Sequence, residues 1–120
     1  MKLRCLIVDD NASFLEGAAA LLRREGLEVA GLASDSDEAL ERARELQPDV
    51  ALVDIVLGSE SGFDVARRLV EADGDRLSVI LISTHAESDF ADLIEEAPVA
   101  GFVPKSELSA NAIRRLVESS

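Results

Sequence analysis

The sequence predicts an α/β fold, a doubly wound three-layer sandwich in which helices cover both faces of a five-stranded parallel sheet. Three observations predict it. Five short apolar runs rich in β-branched residues are spread over the 120 residues, and each is followed by a segment whose apolar residues recur at helical spacing. Three of the runs are apolar almost throughout, as in strands buried on both faces. Strands that alternate with helices favour a parallel sheet with right-handed crossovers.

The elements follow one another in a regular order. In chain order the five predicted strands are Leu3–Val8, Glu28–Ala33, Val50–Val53, Val79–Ile82 and Val99–Val103. The helix after the first strand is expected to stop near Gly26. The second helix is expected to begin at a cap on Ser36 or Asp37 and to end at Pro48. The last three helices carry apolar stripes through Phe63 and Leu69, through Phe90, Leu93 and Ile94, and through Leu108, Ile113 and Leu116.

Composition narrows the class of protein. The chain has 24 acidic and 12 basic residues and a net charge of −12, which argues against binding of nucleic acid or an anionic membrane by this chain alone. Its single cysteine, Cys5, excludes an intramolecular disulfide and is expected to be a buried strand residue. We find no apolar run of the roughly 20 residues that a membrane span needs and no signal-peptide core. We expect one domain over residues 1–120 and a cytoplasmic location.

Polar residues follow four of the predicted strands. In open parallel sheets the ligand site lies at the carboxyl ends of the strands. Asp9 and Asp10 follow the first strand, Asp54 the third, Ser83 the fourth and Lys105 the fifth. Two unit charges 4 Å apart repel by about 4 kcal/mol at an effective dielectric of 20, so three carboxylates in one crevice call for a cation. Mg²⁺ suits such oxygen ligands, and the lysine adds one compensating charge.

These residues match the requirements of phosphoryl transfer to a carboxylate. Asp54 stands alone at its strand end and is the natural nucleophile, which leaves Asp9 and Asp10 to hold the metal. Taken singly, each residue has an ordinary explanation: the Asp9–Asp10 pair as part of a helix cap, Asp54 or Ser83 as a turn residue, Lys105 as a surface lysine. Their joint occurrence at the strand ends favours the functional interpretation.

At this point the sequence resembles the receiver domain of a two-component response regulator. The resemblance extends from Leu3 to about Val117. The motifs that carry it are Ile7–Val8–Asp9–Asp10, Val53–Asp54, Gly62 eight residues after Asp54, Ile82–Ser83 and Phe102–Val103–Pro104–Lys105. The resemblance implies a flavodoxin-like (βα)5 fold with strand order 2-1-3-4-5.

The resemblance also implies roles for the acidic residues. Asp54 would accept a phosphoryl group from a sensor histidine kinase, a phosphotransfer protein or a small phosphodonor. Mg²⁺, or Mn²⁺ in its place, would be bound directly by Asp10 and Asp54, partly through water by Asp9, and by the main-chain carbonyl of Val56. The chain would then be a phosphoacceptor with at most slow autodephosphorylation, not a turnover enzyme.

The remaining implied roles concern the switch. Lys105 would pair with the phosphoryl group, Ser83 would move to hydrogen-bond it, and Phe102 would be the rotameric switch partner. The face formed by the fourth helix, fifth strand and fifth helix would carry the signal to an output domain, a partner or a second copy in a homodimer. The sequence departs from the family pattern at Gly58, where most members have proline, and we expect a more mobile loop there.

Two other functions stay open from the sequence. One is a small phosphatase-like hydrolase with Asp54 or Asp9 as nucleophile, although no substrate cap is evident. The other is an interaction module that does not depend on phosphorylation, which the full set of acids and Lys105 disfavours. The sequence has neither a GxxxxGK[ST] loop nor a GxGxxG motif, so it does not indicate nucleotide binding.

Overall fold

The computed structural model describes residues 3–73 and 76–119. Its main sheet has five strands, β1 (Arg4–Val8), β2 (Glu28–Ala33), β3 (Val50–Asp54), β4 (Ser78–Ser83) and β5 (Gly101–Pro104). Their spatial order is β2-β1-β3-β4-β5, and every pairing between neighbours is parallel. The predicted sheet and its strand order are therefore confirmed, with each strand boundary within two residues of the prediction.

Helices cover both faces of this sheet. They are α1 (Ala12–Arg24), α2 (Ser36–Leu46), α3 (Gly62–Asp73), α4 (Ala91–Glu96) and α5 (Ala110–Ser119), with single 3₁₀ turns at Glu87–Phe90 and Lys105–Glu107. Residues of α1 and α5 pack in one apolar layer, and residues of α2, α3 and α4 pack in the other. The predicted three-layer sandwich is confirmed. In the part of the chain that the structure describes, no helix has the length and apolar character needed to cross a membrane.

Alternation along β1 shows how the sheet builds both layers at once. Leu6 and Val8 face the α2–α3 side, whereas Cys5 and Ile7 face the α1–α5 side, and all four are fully buried. This explains why the run is apolar without interruption. Burial raises the pKa of the Cys5 thiol to about 12, so the thiol stays protonated and acts as a small apolar residue.

The helix starts are set by short polar side chains. Asn11 caps α1, since its side chain accepts a hydrogen bond from the Phe14 N–H at 3.1 Å. The cap of α2 is Asp35, not Ser36 or Asp37 as the sequence suggested. Asp35 has an extended backbone and accepts from the Glu38 N–H at 2.8 Å, which places the next two residues inside the helix.

A short hairpin joins β3 to α3. Val56 pairs with Ser61 and Leu57 pairs with Glu60 in antiparallel register. Gly58, in the turn, has a φ of +58°, a value closed to proline, whose ring fixes φ near −65°. Proline could not adopt this conformation, so the turn differs in geometry from a turn that has proline at this position. The loop in question forms this hairpin, and its greater mobility stays a prediction.

Candidate functional site

The carboxyl ends of β1 and β3 bring three carboxylates together. Val8 lies opposite Val53, so Asp9 and Asp54 leave adjacent strands at the same edge of the sheet. Asp9 is fully buried and Asp54 is 7% exposed, whereas Asp10 is exposed. One oxygen from each of the three carboxylates lies within 4.8 Å of the others. The convergence expected from the strand order is present.

Lys105 reaches this cluster from the end of β5. Its Nζ lies 2.5 Å from Asp9 Oδ2 and 3.1 Å from Asp54 Oδ2. The ammonium also lies 4.2 Å from the ring centroid of Phe14, close enough for a cation–π interaction. From the sequence, Phe14 was assigned no role at this site. Its place three residues after the cap Asn11, in the turn that follows the acidic pair, was the available signal.

The electrostatics of the cluster are unbalanced. Burial raises the pKa of Asp54, and the charge of Asp9 raises it further, against the opposing hydrogen bonds from the Val56 N–H at 3.2 Å and from Lys105. Burial alone would lower the pKa of Lys105, but hydrogen bonds to Asp9 and Asp54 and the charges of both raise it above its usual value. Lys105 therefore stays charged, and its single positive charge faces the negative charges of three carboxylates.

The donor set fits a divalent cation. Asp9 Oδ1 accepts a hydrogen bond from the Asn11 N–H at 2.8 Å. Asp9 Oδ2 is buried, and its partner among the described residues is the Lys105 ammonium, which Asp54 shares. One ammonium does not balance two buried carboxylates, and buried charges are costly unless they are paired. Hard oxygen ligands beside the exposed Asp10, where waters have access, are those that Mg²⁺ prefers.

Ser83 lies at the end of β4, between the strands that carry Asp54 and Lys105. It is 1% exposed. Its hydroxyl oxygen accepts a hydrogen bond from the His85 N–H at 2.9 Å and lies 3.4 Å from His85 Nδ1. Among the described residues, no hydrogen bond joins this hydroxyl to Asp54. The hydroxyl is thus engaged with its own loop, one strand away from the carboxylate.

The other two predicted site residues lie apart from the acidic cluster or reach it through the backbone. Phe102 is buried in β5, opposite Leu81, in the layer that faces α2 and α3. The Val56 side chain is 48% exposed, and this residue contacts the site through its N–H bond to Asp54. The structure therefore brings Asp9, Asp10, Asp54 and Lys105 together and leaves Phe102 in the core.

Gly62 explains the spacing between Asp54 and the start of α3. A Cβ at this position would lie 2.0 Å from the Asp54 carbonyl oxygen and 2.7 Å from the Cα of Ile55. The Gly62 N–H donates to the Ile55 carbonyl at 2.7 Å. Only glycine fits where the helix begins against the backbone of the buried aspartate.

Comparison with known sequences places this site in a family. The sequence profile of the response regulator receiver domain matches residues 5–118. Response regulator GacA of Pseudomonas viridiflava is 33% identical over 104 residues, covering 86% of this chain and 48% of that protein. DNA-binding response regulator MtrA of Mycobacterium tuberculosis is 37% identical over 94 residues, covering 78% of this chain and 39% of that protein. The chain spans about half the length of the curated relatives it matches, or less.

Solved structures agree with the sequence comparison. The signal receiver domain of a NarL response regulator from Mycobacterium tuberculosis superposes with a TM-score of 0.83 at 30% identity, over 99% of this chain and 98% of that one. A LuxR-family two-component response regulator from an Aurantimonas species gives a TM-score of 0.86 at 29% identity, over 99% and 87% of the two chains. With its acidic crevice and its reaching lysine on the same fold, the chain belongs to the response regulator receiver domain family, whose members are signalling phosphoacceptors rather than typical enzymes.

Proposed function

We propose that this chain is a phosphorylation-dependent switch in which Asp54 accepts the phosphoryl group. The observation that carries the proposal is the position of the Asp54 carboxylate. It is nearly buried, lies 3.1 Å from the Lys105 ammonium, and shares a cluster with Asp9 and Asp10. Such a carboxylate is held in place at a strand end, next to groups that can neutralise a transferred phosphoryl group.

The chemistry follows from the groups in the cluster. An Asp54 carboxylate oxygen forms a bond to phosphorus while the bond from phosphorus to the donor breaks, and the electron pair of the broken bond stays with the donor atom. Lys105 stands beside the oxygen that reacts and pairs with the negative phosphoryl oxygens. Mg²⁺ or Mn²⁺, held by Asp9, Asp10, Asp54 and the Val56 carbonyl, supplies further neutralisation of charge when bound.

The phosphorylated chain then differs from the unphosphorylated chain in charge. The phosphoryl group carries about 1.5 to 2 negative charges and three strong acceptor oxygens, in place of the single charge of the Asp54 carboxylate. We propose that Ser83 leaves its bond with His85 to donate to one of these oxygens, with Phe102 as the side chain that changes rotamer in response. The surface formed by α4, β5 and α5 is where the change reaches a partner, an output domain or a second copy.

The proposal also covers the phosphodonor and the cellular location. We propose residues 1–120 as a single receiver domain in the cytoplasm, phosphorylated by a sensor histidine kinase or a phosphotransfer protein. Hydrolysis of the resulting acyl phosphate is expected to be slow, because the carboxylates next to Asp54, those of Asp9 and Asp10, are engaged by the cation and not free to act as a general base. The two relatives named as response regulators support the partner class but leave its identity open.

Phosphorylation by acetyl phosphate tests the proposal directly. The protein is incubated with acetyl phosphate and Mg²⁺, and its intact mass is measured. We expect one added phosphoryl group in the wild-type protein and in Asp37→Asn, which removes an exposed α2 carboxylate, but none in Asp54→Asn. Equal labelling of Asp54→Asn would overturn the proposal. Steady multiple turnover would indicate a hydrolase, and no labelling of the wild type would indicate a phosphorylation-independent module.

A further inference from the structure

Glu60 makes a contact between the hairpin and α2 that the site chemistry does not use. Its Oε1 accepts a hydrogen bond from the Ser36 N–H at 3.0 Å, and its Oε2 accepts one from the Ser36 hydroxyl. Ser36 is 5% exposed and is the first residue of α2, where backbone N–H groups have no partner within the helix. A carboxylate is stabilised at that end of a helix. Both hydrogen bonds hold the pKa of Glu60 below its usual value.

The hairpin carries this contact toward the acidic cluster. Glu60 lies opposite Leu57, and the adjacent Val56 donates its N–H to the Asp54 carboxylate at 3.2 Å. At the turn, a Cβ built on Gly58 would lie 3.6 Å from Asp10 Oδ2, so the turn lies beside this carboxylate. The first strand of the hairpin and its turn therefore contact residues of the acidic cluster, and the second strand is bonded to α2.

The hairpin cannot hold this position by itself. It has two residue pairs, and a short two-stranded hairpin is marginally stable at best in water. Its turn contains a glycine in the left-handed region, which is conformationally permissive. The buried Leu57 fixes one side of the hairpin. On the other strand, the Ser61 hydroxyl accepts a hydrogen bond from the Phe63 N–H of the adjoining α3 at 3.2 Å, and the two bonds from Glu60 to Ser36 fix the strand to α2, an element distant in sequence.

From this geometry we infer that Glu60 is a positioning residue for the cation site. By bonding Ser36, it holds the hairpin in the position where the Val56 N–H bonds Asp54 and the Gly58 turn lies beside Asp10, the position in which the acidic cluster can bind Mg²⁺. The inference rests on the proposed function only in its choice of Mg²⁺ as the cation. Glu60 itself contacts neither the cation nor the phosphoryl group, and its effect passes through the hairpin.

Calorimetric Mg²⁺ titration of matched variants tests the inference. Glu60→Ala is expected to weaken Mg²⁺ binding roughly fivefold, the lower end of the usual range of coupling between sites. Glu60→Gln keeps an oxygen for the Ser36 N–H and an amide that can donate to the Ser36 hydroxyl, so it should restore most of the affinity. Glu41→Ala removes the same charge from an exposed position of α2 and should bind as the wild type does.

A second variant and a metal-free measurement separate positioning from loss of structure. Ser36→Ala keeps every charge and removes one of the two hydrogen bonds, so it should weaken Mg²⁺ binding in the same direction by a smaller factor. Without metal, amide exchange at Val56 should be faster in Glu60→Ala than in the wild type, at unchanged exchange of the β1 core. Such a pattern reports local loosening of the hairpin.

The outcomes distinguish this inference from the proposed function. Wild-type Mg²⁺ affinity in both Glu60→Ala and Ser36→Ala would overturn the inference, even if Asp54 is phosphorylated. An equal loss in Glu60→Ala and Glu60→Gln with no loss in Ser36→Ala would assign the effect to charge alone and also overturn it. Weakened binding in Glu60→Ala with no phosphorylation of the wild type would uphold the inference and defeat the proposed function. A wild type that binds no Mg²⁺ would defeat the inference.

Discussion

At the scale of single residues, the surroundings of Asp54 destabilise its charged form. Its carboxylate is nearly buried and lies beside the carboxylate of Asp9, and both factors raise its pKa. The Lys105 ammonium and the Val56 N–H oppose these effects without cancelling them. The charged form of Asp54 is therefore less stable in the folded chain than in the unfolded chain.

This imbalance predicts a pH-dependent effect of Asp54→Asn. For an acid whose pKa is raised by folding, the folded state binds more protons, so stability is lost as pH rises from the unfolded pKa through the folded one. Without metal, Asp54→Asn should therefore raise the melting temperature by a few degrees at pH 7, and the gain should shrink as pH falls toward the model-peptide pKa of 3.8. Thermal melts across this range provide the test, with Glu41→Gln, at an exposed position in the middle of α2, as the control. A gain that stays constant with pH would contradict the charge argument.

The same scale shows which site residues a sequence can reveal. Asp9, Asp54, Ser83 and Lys105 each lie at the carboxyl end of an apolar strand, as its last residue or the residue after it, so the strand pattern predicts where they meet. Phe14 could not be found this way, because its ring contacts an ammonium from the far end of the chain. Glu60 was missed for the same reason, since its partner Ser36 belongs to another element. Contacts of this kind depend on how elements pack rather than on local pattern.

At the scale of elements, the strands were predictable and the connection from β3 to α3 was not. A buried parallel strand needs an unbroken apolar run, which is visible in sequence. The hairpin has strands of two residues, Val56–Leu57 and Glu60–Ser61, too short to show any periodicity. The start of α2 was misplaced by one or two residues because three neighbours, Asp35, Ser36 and Asp37, are all good capping residues and only the backbone geometry selects the first.

Alanine substitution of two helical glycines should have opposite effects on stability, because one glycine lies against β3 and the other has open space around it. Gly62→Ala forces a methyl group to within 2.0 Å of the Asp54 carbonyl, so we expect a loss of about 1–3 kcal/mol or more and poor phosphorylation. Gly17→Ala, in the middle of α1 with no atom within 4 Å of its new Cβ, should gain about 0.5–1 kcal/mol. Urea unfolding measures both. Equal effects of the two substitutions would show that helix propensity, not contact with β3, decides the outcome at Gly62.

At the scale of the whole molecule, the net negative charge and the acidic cluster both destabilise the fold through repulsion between like charges. The chain carries a net charge of −12, and three of its carboxylates lie within 4.8 Å of one another. General repulsion is spread over the surface and is screened by any salt. Repulsion within the site is less accessible to screening, because Asp9 is fully buried and Asp54 nearly so. A cation that binds the site should therefore stabilise the fold more than a cation that only screens the surface charges.

This difference predicts a stabilisation by Mg²⁺ beyond that of ionic strength. At a free Mg²⁺ concentration tenfold above its Kd, binding to the folded state alone adds roughly 1.4 kcal/mol, which raises the melting temperature by about 3–6 °C for a domain of this size. Sodium chloride at equal ionic strength supplies only the screening part and should produce a smaller rise. Asp10→Asn keeps the buried pair and removes the exposed ligand, so its response to Mg²⁺ should fall to the sodium chloride level. If the two salts stabilise the wild type equally, or if Asp10→Asn responds as the wild type does, the acidic cluster is not a specific cation site and the arrangement of Asp9, Asp10 and Asp54 needs another explanation.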